Sequence, residues 1–385
     1  MNILHICSYY IGNQLYKNMV KELSTMGVNQ HVFIPIKNKS SIGKNQLLTQ
    51  NETIKYYYSN ILNKYDRYLY LLKINKQLKE IEKSILSNES IDFVHAHTVF
   101  SDGGTAYQLY EKYGINYMVT VRNTDINRFY KYWIPLRPYM YKILLNARKV
   151  VFISHAYKKQ MFSLLPAKVV SQIKSKCIVI PNGIDKYWHK ESKETKVRKD
   201  KLSEINLLFI GMLNKNKNLK SVLLTCAKLC EQGYNAKLKV VGNGPLEDDF
   251  RSLTKELNID KNVEFHGYIT DKKSIKSIID ECDVFIMPSF KETFGLVYIE
   301  AMSRGLPVLY SKGQGIDGFF EEGEIGYSVD PLNIEAMVNA IVKIIVNYPE
   351  MSNNCIKKSK VFTWHTICGY YYKLYTNNNK VSSGF

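Results

Sequence analysis

Short apolar runs alternate with helical patterns along almost the whole length of this 385-residue chain. Runs typical of β-strands, among them "QHVFIPI" and "NYMVTV" in the first half and "INLLFIGML" and "DVFIMPS" in the second, each precede a segment with helical spacing. Strands that alternate with helices form parallel sheets covered by helices on both faces. Because the runs fall into two series, the sequence predicts an α/β protein with two doubly wound domains.

A polar, charge-dense stretch without a strand pattern separates the two series and predicts a linker near 186–204. We therefore expect an N-terminal domain over 1–185, a C-terminal domain over 205–360, and a final aromatic helix over 361–385 that could pack back toward the N-terminal domain. Ligands of open parallel sheets bind beyond the carboxyl ends of the strands. The cleft between two such domains is thus the expected site.

Positive charge is concentrated in the first half of the chain. Residues 1–190 contain 27 Lys and Arg against 11 Asp and Glu, and residues 191–385 contain 26 against 24, so the net charge of +18 divides into +16 and +2. Such asymmetry indicates an N-terminal half that faces nucleic acid, an acidic membrane surface or a phosphate-bearing substrate. The alternative is a lysine-rich composition that only keeps the protein soluble. The N-terminal sequence lacks the features of a signal peptide, so we expect a cytoplasmic protein.

Two glutamates stand eight positions apart in the otherwise apolar stretch "SFKETFGLVYIEAMSRGLPVL". The pattern predicts a strand, a loop with Glu292, and a helix that begins near Gly295 and contains Glu300. The free N–H groups at 294–297 would form an anion site, because the N-terminus of a helix attracts negative charge. A diphosphate there, flanked by hydroxyl-bearing rings, would use both carboxylates. Alternatively, Glu292 caps the helix and Glu300 pairs with Arg304.

Glycine-containing turns follow several predicted strands in the second half. The segment "FIGMLNKNKNLKSVL" contains Gly211 and places Lys217 just before a helix, where its ammonium could meet a phosphate. In "VVGNGPLEDDF", Gly242 and Gly244 allow the backbone to approach a ligand closely. One such turn is more often a plain connection than a binding loop, but the order of all of them is specific.

These motifs together resemble glycosyltransferase family 4, whose members are retaining enzymes of the GT-B fold that use nucleotide-activated sugars. In the second half the resemblance rests on "GMLNKNKN", "VVGNGP", "FHGYI", "PSFKETFGLVYIEAMSRGLPVL" and "GEIGYSVDP". The first half adds "DFVHAHT", "VTVRNTD", "VFIS" and "VIPNGID". The resemblance covers nearly the whole chain and implies two facing Rossmann-like domains with a cleft between them.

The resemblance also implies a role for individual residues. Glu292 would bind the hydroxyls of the donor sugar, Glu300 the ribose, and Lys217 the leaving phosphate. The implied donor site consists of Gly12, Gly211, Lys217, Gly242, Gly244, Tyr268, Ile269, Glu292, Phe294, Gly295, Leu296, Val297 and Glu300. The implied catalytic residues are Glu292, Lys217 and Arg122, and the acceptor side would include His95, His97, Asp125 and Asn182.

The chain departs from the family pattern at two positions. Met212 follows the glycine of the phosphate loop, where the family usually has arginine. Arg122 occupies the place of a histidine to which an acid–base role is sometimes given. Arginine stays protonated at neutral pH and so cannot act as a base, but it can bind a phosphate or a developing oxyanion. The charge missing at Met212 could come from Lys215 or Arg122.

We expect no cofactor, because the nucleotide sugar, a UDP- or GDP-sugar, is itself the substrate. We also expect no metal. The sequence contains no Asp-x-Asp motif, and Mg²⁺ is usually held by carboxylates and phosphates. His95 and His97 lie two apart on a predicted strand and so share a face, but no third ligand is identifiable from the sequence. A hydrogen-bonding role or plain burial explains this pair better than a metal site.

An aromatic and basic run, "NRFYKYWIPLRPYMYK", occupies residues 127–142. Arginine and lysine interleaved with tyrosine and tryptophan suit an interface near anionic lipid headgroups, which would place the enzyme peripherally on the inner face of the plasma membrane. A buried helix pair beside the cleft explains the run equally well.

The resemblance, together with the missing Asp-x-Asp motif, therefore implies a retaining, metal-independent hexosyltransferase that transfers a sugar to a hydroxyl of a glycan acceptor. The acceptor is expected to be lipid-linked, in the synthesis of a bacterial surface polysaccharide such as capsule, O-antigen, exopolysaccharide or teichoic acid. Two alternatives stay open: a non-catalytic GT-B subunit that binds nucleotide or glycan for a partner enzyme, and an epimerase of nucleotide sugars. Nucleic acid is not an expected partner, because no nucleic-acid motif accompanies the charge.

Overall fold

The computed structural model describes residues 1–47, 53–66, 68–190 and 203–376. The chain forms two compact units. Unit 1 consists of Met1–Ile153, Lys158–Asn182 and the segment from Trp364 onward, and unit 2 consists of Ser154–Tyr157 and Gly183–Thr363.

Unit 1 is built on a seven-stranded sheet with the strand order β3-β2-β1-β4-β5-β6-β7, in which every pairing is parallel. The strands are β1 (Asn2–Ile6), β2 (Asn29–Pro35), β3 (Ile54–Ser59), β4 (Phe93–Ala96), β5 (Tyr117–Val121), β6 (Lys149–Phe152) and β7 (Cys177–Val179). The strand order reverses between β1 and β4. In doubly wound sheets this switch point is where the loops diverge and ligands bind.

The helices of the first part of the chain cover this sheet. They are α1 (Gln14–Thr25), α2 (Tyr70–Ile81), α3 (Gly103–Tyr113), α4 (Arg137–Asn146), α5 (His155–Leu164) and α6 (Ala167–Ile173), with π-helical turns at Glu82–Leu86 and Asp125–Tyr130. Helix α1 shows why they form: the side chain of Asn13 caps it by accepting from the N–H of Leu15 at 3.0 Å. Its buried residues Tyr16, Met19, Val20 and Leu23 recur at helical spacing and face the sheet.

Unit 2 contains a six-stranded parallel sheet with the order β10-β9-β8-β11-β12-β13. Its strands are β8 (Glu204–Ile210), β9 (Asn235–Val241), β10 (Val263–Gly267), β11 (Val284–Ile286), β12 (Val308–Ser311) and β13 (Gly326–Val329). Its helices are α7 (Leu219–Glu231), α8 (Glu247–Glu256), α9 (Lys272–Asp280), α10 (Leu296–Ser303), α11 (Ile334–Val346) and α12 (Tyr348–Ser359). The order reverses between β8 and β11, which makes this pair the switch point of unit 2.

The last described helix, α13 (Trp364–Tyr375), belongs to unit 1. Its buried face packs against α1 and the sheet, and the resulting cluster includes Ile3, Met19, Phe93, Met118, Ile367, Cys368, Tyr371 and Leu374. Each large apolar side chain buried in this way contributes about 1.5–3 kcal/mol. The chain therefore finishes its second sheet and then returns to complete the core of the first.

The prediction of an α/β protein with two doubly wound parallel sheets is confirmed. The domain bounds differ in detail from the predicted ones, because residues 154–157 and 183–190 pack with unit 2 and residues 361–363 also belong to it. In the predicted linker at 186–204, residues 191–202 lie outside the described residues. The part before them is a 3₁₀ turn, Lys186–His189, in which Trp188 is buried.

The aromatic and basic run at 127–142 divides between the two interpretations. Tyr130 is buried, and its hydroxyl donates to the carbonyl of Leu164 at 2.6 Å, whereas Tyr132 and Ile134 are exposed. Among the helices of the described residues, none is both long and apolar enough to cross a membrane.

Candidate active site

Lys217 and Glu292 meet at the switch point of unit 2. The loop after β8 carries Lys217 and the loop after β11 carries Glu292, and these two strands are neighbours in the sheet. The ammonium Nζ of Lys217 lies 2.5 Å from the carboxylate Oε2 of Glu292. Both side chains are mostly enclosed but still reach solvent, with 23% and 14% of their surface exposed. A cation and an anion are thus paired where a doubly wound sheet binds its ligands.

Backbone and side-chain hydrogen bonds fix both partners of this pair. The side chain of Asn214 accepts from the N–H of Lys217 at 3.0 Å, which anchors the 3₁₀ turn Lys215–Lys217. The N–H of Glu292 donates to the side chain of Gln314 at 3.1 Å, and its carbonyl accepts from the N–H of Gly315 at 2.8 Å. The pair is therefore held before any ligand arrives, which limits the entropy cost of binding.

The two glycine turns predicted in unit 2 lie against each other. The N–H of Gly211 donates to the carbonyl of Val241 at 2.9 Å, and the N–H of Leu213 donates to that of Asn243, also at 2.9 Å. A Cβ atom at Gly242 would lie 2.0 Å from the carbonyl oxygen of Gly211, and the φ of Gly242 is +135°. Only glycine fits there, so this residue sets the position of the loop that carries Lys217.

The predicted helix after Glu292 is confirmed as α10, with Gly295 at its N-cap in a left-handed conformation of φ +79°. The carboxylate of Glu292 accepts from Lys217 and from the N–H of Thr293, which precedes the helix, so the described hydrogen bonds do not make it the cap of α10. The distance from Oε1 of Glu292 to the backbone nitrogen of Thr293 is 3.0 Å. Phe294 is buried, while Leu296 and Val297 are half-buried at the start of the helix. The first N–H groups of α10 thus follow directly after Glu292.

Glu300 lies in α10 and is half-buried. Burial raises the pKa of Glu300 to about 7, although nearby Lys272 and a hydrogen bond from the side chain of Trp188 act in the opposite direction. The alternative in which Glu300 pairs with Arg304 is wrong, because Arg304 forms two hydrogen bonds of 2.8 Å with Asp280. A carboxyl group that is partly protonated near neutral pH can both donate to and accept from a hydroxyl.

The settings differ for Tyr268, Ile269 and Gly12 of the predicted donor site and for Met212 in the predicted phosphate loop. The side chain of Tyr268 is 71% exposed after β10, and Ile269 beside it is half-buried. Met212 is 59% exposed, so the position at which an arginine was expected presents a thioether to solvent. Gly12 belongs to unit 1, where it ends a 3₁₀ turn, Tyr10–Gly12, after β1.

Arg122 and Asn182, two further predicted residues, lie together in unit 1. The guanidinium Nη1 of Arg122 donates to the side chain of Asn182 at 3.1 Å, and its Cζ lies 5.4 Å from the ring centroid of Tyr16. Asp125 is fully buried three residues further on, and its carboxylate accepts from the N–H groups of Val99, Phe100 and Arg122 at 2.9–3.1 Å. Burial raises the pKa of Asp125 to about 6. Asp125 therefore fixes the loops after β4 and β5 relative to each other.

The pair His95 and His97 has a third imidazole beside it, His5, which the sequence analysis did not identify. His5 and His95 are opposite each other in the β1–β4 register, and residues in register on adjacent strands share a face. One ring nitrogen from each of the three lies within 4.8 Å of the others. Nδ1 of His5 lies 3.1 Å from Nε2 of His97, and both nitrogens of His95 are hydrogen-bonded, to Tyr375 at 2.8 Å and Thr120 at 2.9 Å.

These three histidines are neutral in the folded protein. Burial, together with the neighbouring imidazoles, lowers the pKa of His95 and His97 well below the usual range. Burial also lowers the pKa of His5 to about 3, and His31 nearby contributes to this shift. Arg122 disfavours protonation of His95 and His97 further. The described residues around His95 supply a hydroxyl to each of its nitrogens, which is the arrangement of a satisfied buried imidazole. The hydrogen bonds thus account for His95, whereas Nδ1 of His97 and Nε2 of His5 are buried without a hydrogen-bond partner among the described residues.

His97→Gln should flatten the dependence of stability on pH. Unfolded chains bind a proton on histidine below about pH 6.5, whereas native His97 stays neutral, so its contribution to stability is lost as the pH falls. Removing the imidazole should lower the slope of unfolding free energy against pH by up to about 1.4 kcal/mol per pH unit below that point. Urea denaturation across this range measures the slope. His365→Gln, at an exposed histidine of the same unit, is the control; equal slopes for wild type and His97→Gln would contradict the assignment.

Sequence reasoning missed Gln314, Gly315 and Trp188 as supports of the predicted donor site. Gln314 and Gly315 lie in "SKGQGIDG" after β12, a glycine-rich turn whose pattern alone does not single out a partner. Trp188 falls within the predicted linker, where no strand or helix pattern marks it. Each becomes visible only when the loops are placed in space.

Two family descriptions match consecutive parts of the chain. "Glycosyltransferase Family 4" matches residues 13–187 and "Glycosyl transferases group 1" matches residues 190–362. An uncharacterized glycosyltransferase of Methanocaldococcus jannaschii is 24% identical over 306 residues, which cover 75% of this chain and 76% of the relative. A GDP-mannose-dependent alpha-(1-6)-phosphatidylinositol dimannoside mannosyltransferase of Mycobacterium tuberculosis is 28% identical over 192 residues, which cover 49% of each chain.

Solved structures show the same fold. The HepE protein of Anabaena, crystallised in complex with UDP, superposes with a TM-score of 0.72 over 98% of this chain and 100% of its own, at 16% identity. At this identity the likeness concerns the fold, which is the GT-B fold with its two Rossmann-like domains. This shared fold supports the two family matches, which run in succession from residue 13 to residue 362 and assign the chain to its family. The chain belongs to the group 1 glycosyltransferases of family 4.

Proposed function

We propose that this glycosyltransferase transfers a hexosyl group from a UDP- or GDP-sugar to a hydroxyl of a lipid-linked glycan, with retention of the anomeric configuration and without a metal. The pathway proposed is the synthesis of a bacterial surface polysaccharide, on the inner face of the plasma membrane. The observation that carries the proposal is the Lys217–Glu292 pair at the switch point of unit 2, directly before the N-terminus of α10. The names of the relatives, one GDP-mannose-dependent and one captured with UDP, support a nucleotide donor.

The two partners of this pair suit the two halves of a nucleotide sugar. An ammonium group such as that of Lys217 can neutralise a diphosphate, and the first N–H groups of α10 can hold its oxygens. When a phosphate occupies Lys217, the carboxylate of Glu292 is released to accept hydrogen bonds from sugar hydroxyls. Glu300 follows about one turn into the helix, and the pKa of about 7 that burial gives it suits hydrogen bonding to a ribose diol.

Transfer would then proceed on one face of the sugar. The bond between the anomeric carbon and the diphosphate oxygen breaks, the acceptor oxygen bonds to the same carbon from the same side, and the acceptor proton passes to the departing phosphate. This scheme needs positive charge at the phosphate more than a protein base. Lys217 and the start of α10 supply that charge in unit 2, where Met212 does not. Arg122 is the further cation that we propose for phosphate or oxyanion binding.

A thermal-shift screen over nucleotide sugars tests the donor. A ligand that binds only the folded state at 100 times its Kd stabilises that state by about 2.7 kcal/mol, so the matching donor should raise the Tm by several degrees. A UDP- or GDP-sugar should shift the Tm more than the corresponding nucleoside monophosphate. No shift with any nucleotide sugar would contradict the proposal.

Product analysis separates this function from its two alternatives. Incubation with the donor and an acceptor glycan should give a glycoside with the donor's anomeric configuration. An epimerase would change the sugar of the nucleotide without any acceptor. A non-catalytic subunit would bind the donor, and the purified chain would release no nucleoside diphosphate from it.

A further inference from the structure

A cavity with a volume of about 360 Å³ opens in unit 1 at the carboxyl ends of its central strands. Its lining comes from the loops after five strands, with Ser8 after β1, Lys37 after β2, Asn63 after β3, Ser101 after β4 and Arg128 after β5. The cavity spans the switch point between β1 and β4, where the N–H of Ser8 donates to the carboxylate of Asp102 at 3.0 Å. Its position in the sheet is therefore that of a ligand site.

The described residues that line the cavity carry more positive than negative charge. It contains three cations, Lys37, Lys73 and Arg128, and one carboxylate, Asp66. Asp66 is buried and already neutralised, since it lies 2.8 Å from Nζ of Lys76 and accepts from the N–H of Asn63 at 2.6 Å. Within the described parts of the chain, no carboxylate oxygen lies within 4.0 Å of the charged nitrogens of the three cations.

Lys73 is the most enclosed of the three cations. Its ammonium donates to the carbonyl of Ser101 at 3.2 Å, and burial lowers the pKa of Lys73, although the carboxylates of Asp102 and Asp66 act in the opposite direction. These carboxylates lie beyond ion-pair distance, so an anionic ligand beside the partly buried ammonium would offset more of its desolvation cost. The cavity thus offers a place for a negatively charged group.

An aromatic wall forms one side of the same cavity. The rings of Phe129 and Trp133 lie 6.2 Å apart between centroids, and those of Trp133 and Tyr68 lie 6.1 Å apart and are stacked. Large aromatic faces next to polar groups suit a sugar ring, which has both apolar faces and hydroxyl edges. Exposed apolar side chains adjoin the wall in both segments, namely Leu69, Leu71 and Leu72 beside Tyr68, and Tyr132 and Ile134 beside Trp133.

We propose that this cavity binds the acceptor through a sugar phosphate group, with Lys37, Lys73 and Arg128 on the phosphate and Trp133 and Tyr68 against the sugar ring. The inference rests on the proposed transferase function and adds the chemical class of the acceptor. The phosphate could belong to a lipid-linked acceptor, whose chain would follow the exposed apolar side chains, or to a free sugar phosphate.

The fluorescence of Trp133 reports on this cavity in the intact protein. The chain has three tryptophans, and the other two, Trp188 and Trp364, are buried elsewhere. We would titrate the full chain with glucose 1-phosphate, methyl glucoside, inorganic phosphate, and phosphatidylcholine vesicles with and without a polyprenyl phosphate. Glucose 1-phosphate should bind about tenfold more tightly than either methyl glucoside or inorganic phosphate, because only it uses both halves of the site. Tighter binding to the polyprenyl phosphate vesicles would identify the lipid-linked source, and equal binding the free one.

The double variant Lys37→Ala/Arg128→Ala should weaken glucose 1-phosphate binding about tenfold and raise the KM for a phosphate-bearing acceptor. Lys39→Ala/Lys131→Ala removes the same charge from nearby exposed lysines that do not line the cavity, and should leave both values unchanged. Equal binding by wild type and Lys37→Ala/Arg128→Ala would overturn the inference, and so would equal binding of glucose 1-phosphate and methyl glucoside.

Titration of the same variants with UDP and GDP tests the acceptor cavity separately from the proposed transferase function. Lys37 and Arg128 belong to unit 1, whereas the proposed donor residues Lys217, Glu292 and Glu300 belong to unit 2, so nucleotide binding should not change in these variants. Sugar transfer that is indifferent to the cavity variants would sink the inference and leave the proposed function standing. Sugar phosphate binding that follows the prediction, in a chain that transfers nothing, would overturn the proposed function and leave the cavity as a binding site.

Discussion

Lys217→Ala is expected to lower kcat by a factor of about 10²–10³, the usual loss when one group that stabilises transition-state charge is removed. The charge on the diphosphate grows as the sugar leaves, and the fold holds the ammonium of Lys217 at that position, 2.5 Å from Glu292. Steady-state transfer with the donor found by thermal shift measures the effect. Lys220→Ala, an exposed lysine three residues on, removes the same charge and should leave kcat within about twofold of wild type.

Glu292→Ala should also abolish transfer, by a different route. The substitution removes the acceptor of the sugar hydroxyls but leaves Lys217 free to bind phosphate, so nucleoside diphosphate binding should persist while the nucleotide sugar loses its added affinity. Stability should change by about 1 kcal/mol or less, because the side chain of Lys217 is 23% exposed and water can replace its partner. Retained transfer by Glu292→Ala would remove this residue from the site.

The central strands of both sheets and the edge strands β7 and β10 could be predicted from the sequence, whereas the edge strands β3 and β13 could not. Strands β1, β4, β8 and β11 are short apolar runs because helices cover both faces of a parallel sheet. Strand β3, "IKYYYS", is an edge strand with half-buried tyrosines, and β13, "GYSV", is an edge strand that begins with glycine. These two strands lack the continuous apolar run, so their sequences resemble loops.

The site was predictable in its parts but not in its pairing. Lys217 and Glu292 could each be placed after a strand, yet they are 75 residues apart, and only the adjacency of β8 and β11 brings their charges into contact. The same holds for His5, which joins His95 through the register of β1 with β4. The cavity of unit 1 was harder still to predict, because its two lysines lie in segments without a sequence motif. In all three cases the order of the strands decides which residues meet, and local sequence patterns do not contain that order.

Gly242→Ala should cost roughly 3 kcal/mol or more in unfolding free energy and should also abolish nucleotide binding. The φ of Gly242 is +135°, and the added Cβ would lie 2.0 Å from the carbonyl oxygen of Gly211, which is backbone and cannot rotate away. Relieving the clash must separate the turn after β8 from the turn after β9. Because the turn after β8 continues to Lys217, the same movement displaces the cation that we propose for the phosphate.

Two other alanine substitutions divide this effect into backbone strain and steric clash. Gly233→Ala places alanine at a positive φ of +87° with no atom of the described residues within 4 Å, and should cost about 1–2 kcal/mol without affecting nucleotide binding. Gly244→Ala lacks the positive φ, but its Cβ would lie 2.4 Å from the carbonyl oxygen of Leu213, so it should resemble Gly242→Ala in its loss of binding. Urea denaturation and UDP titration of the three variants measure both quantities. If Gly242→Ala were no more damaging than Gly233→Ala, contact between the two turns would not be what positions Lys217.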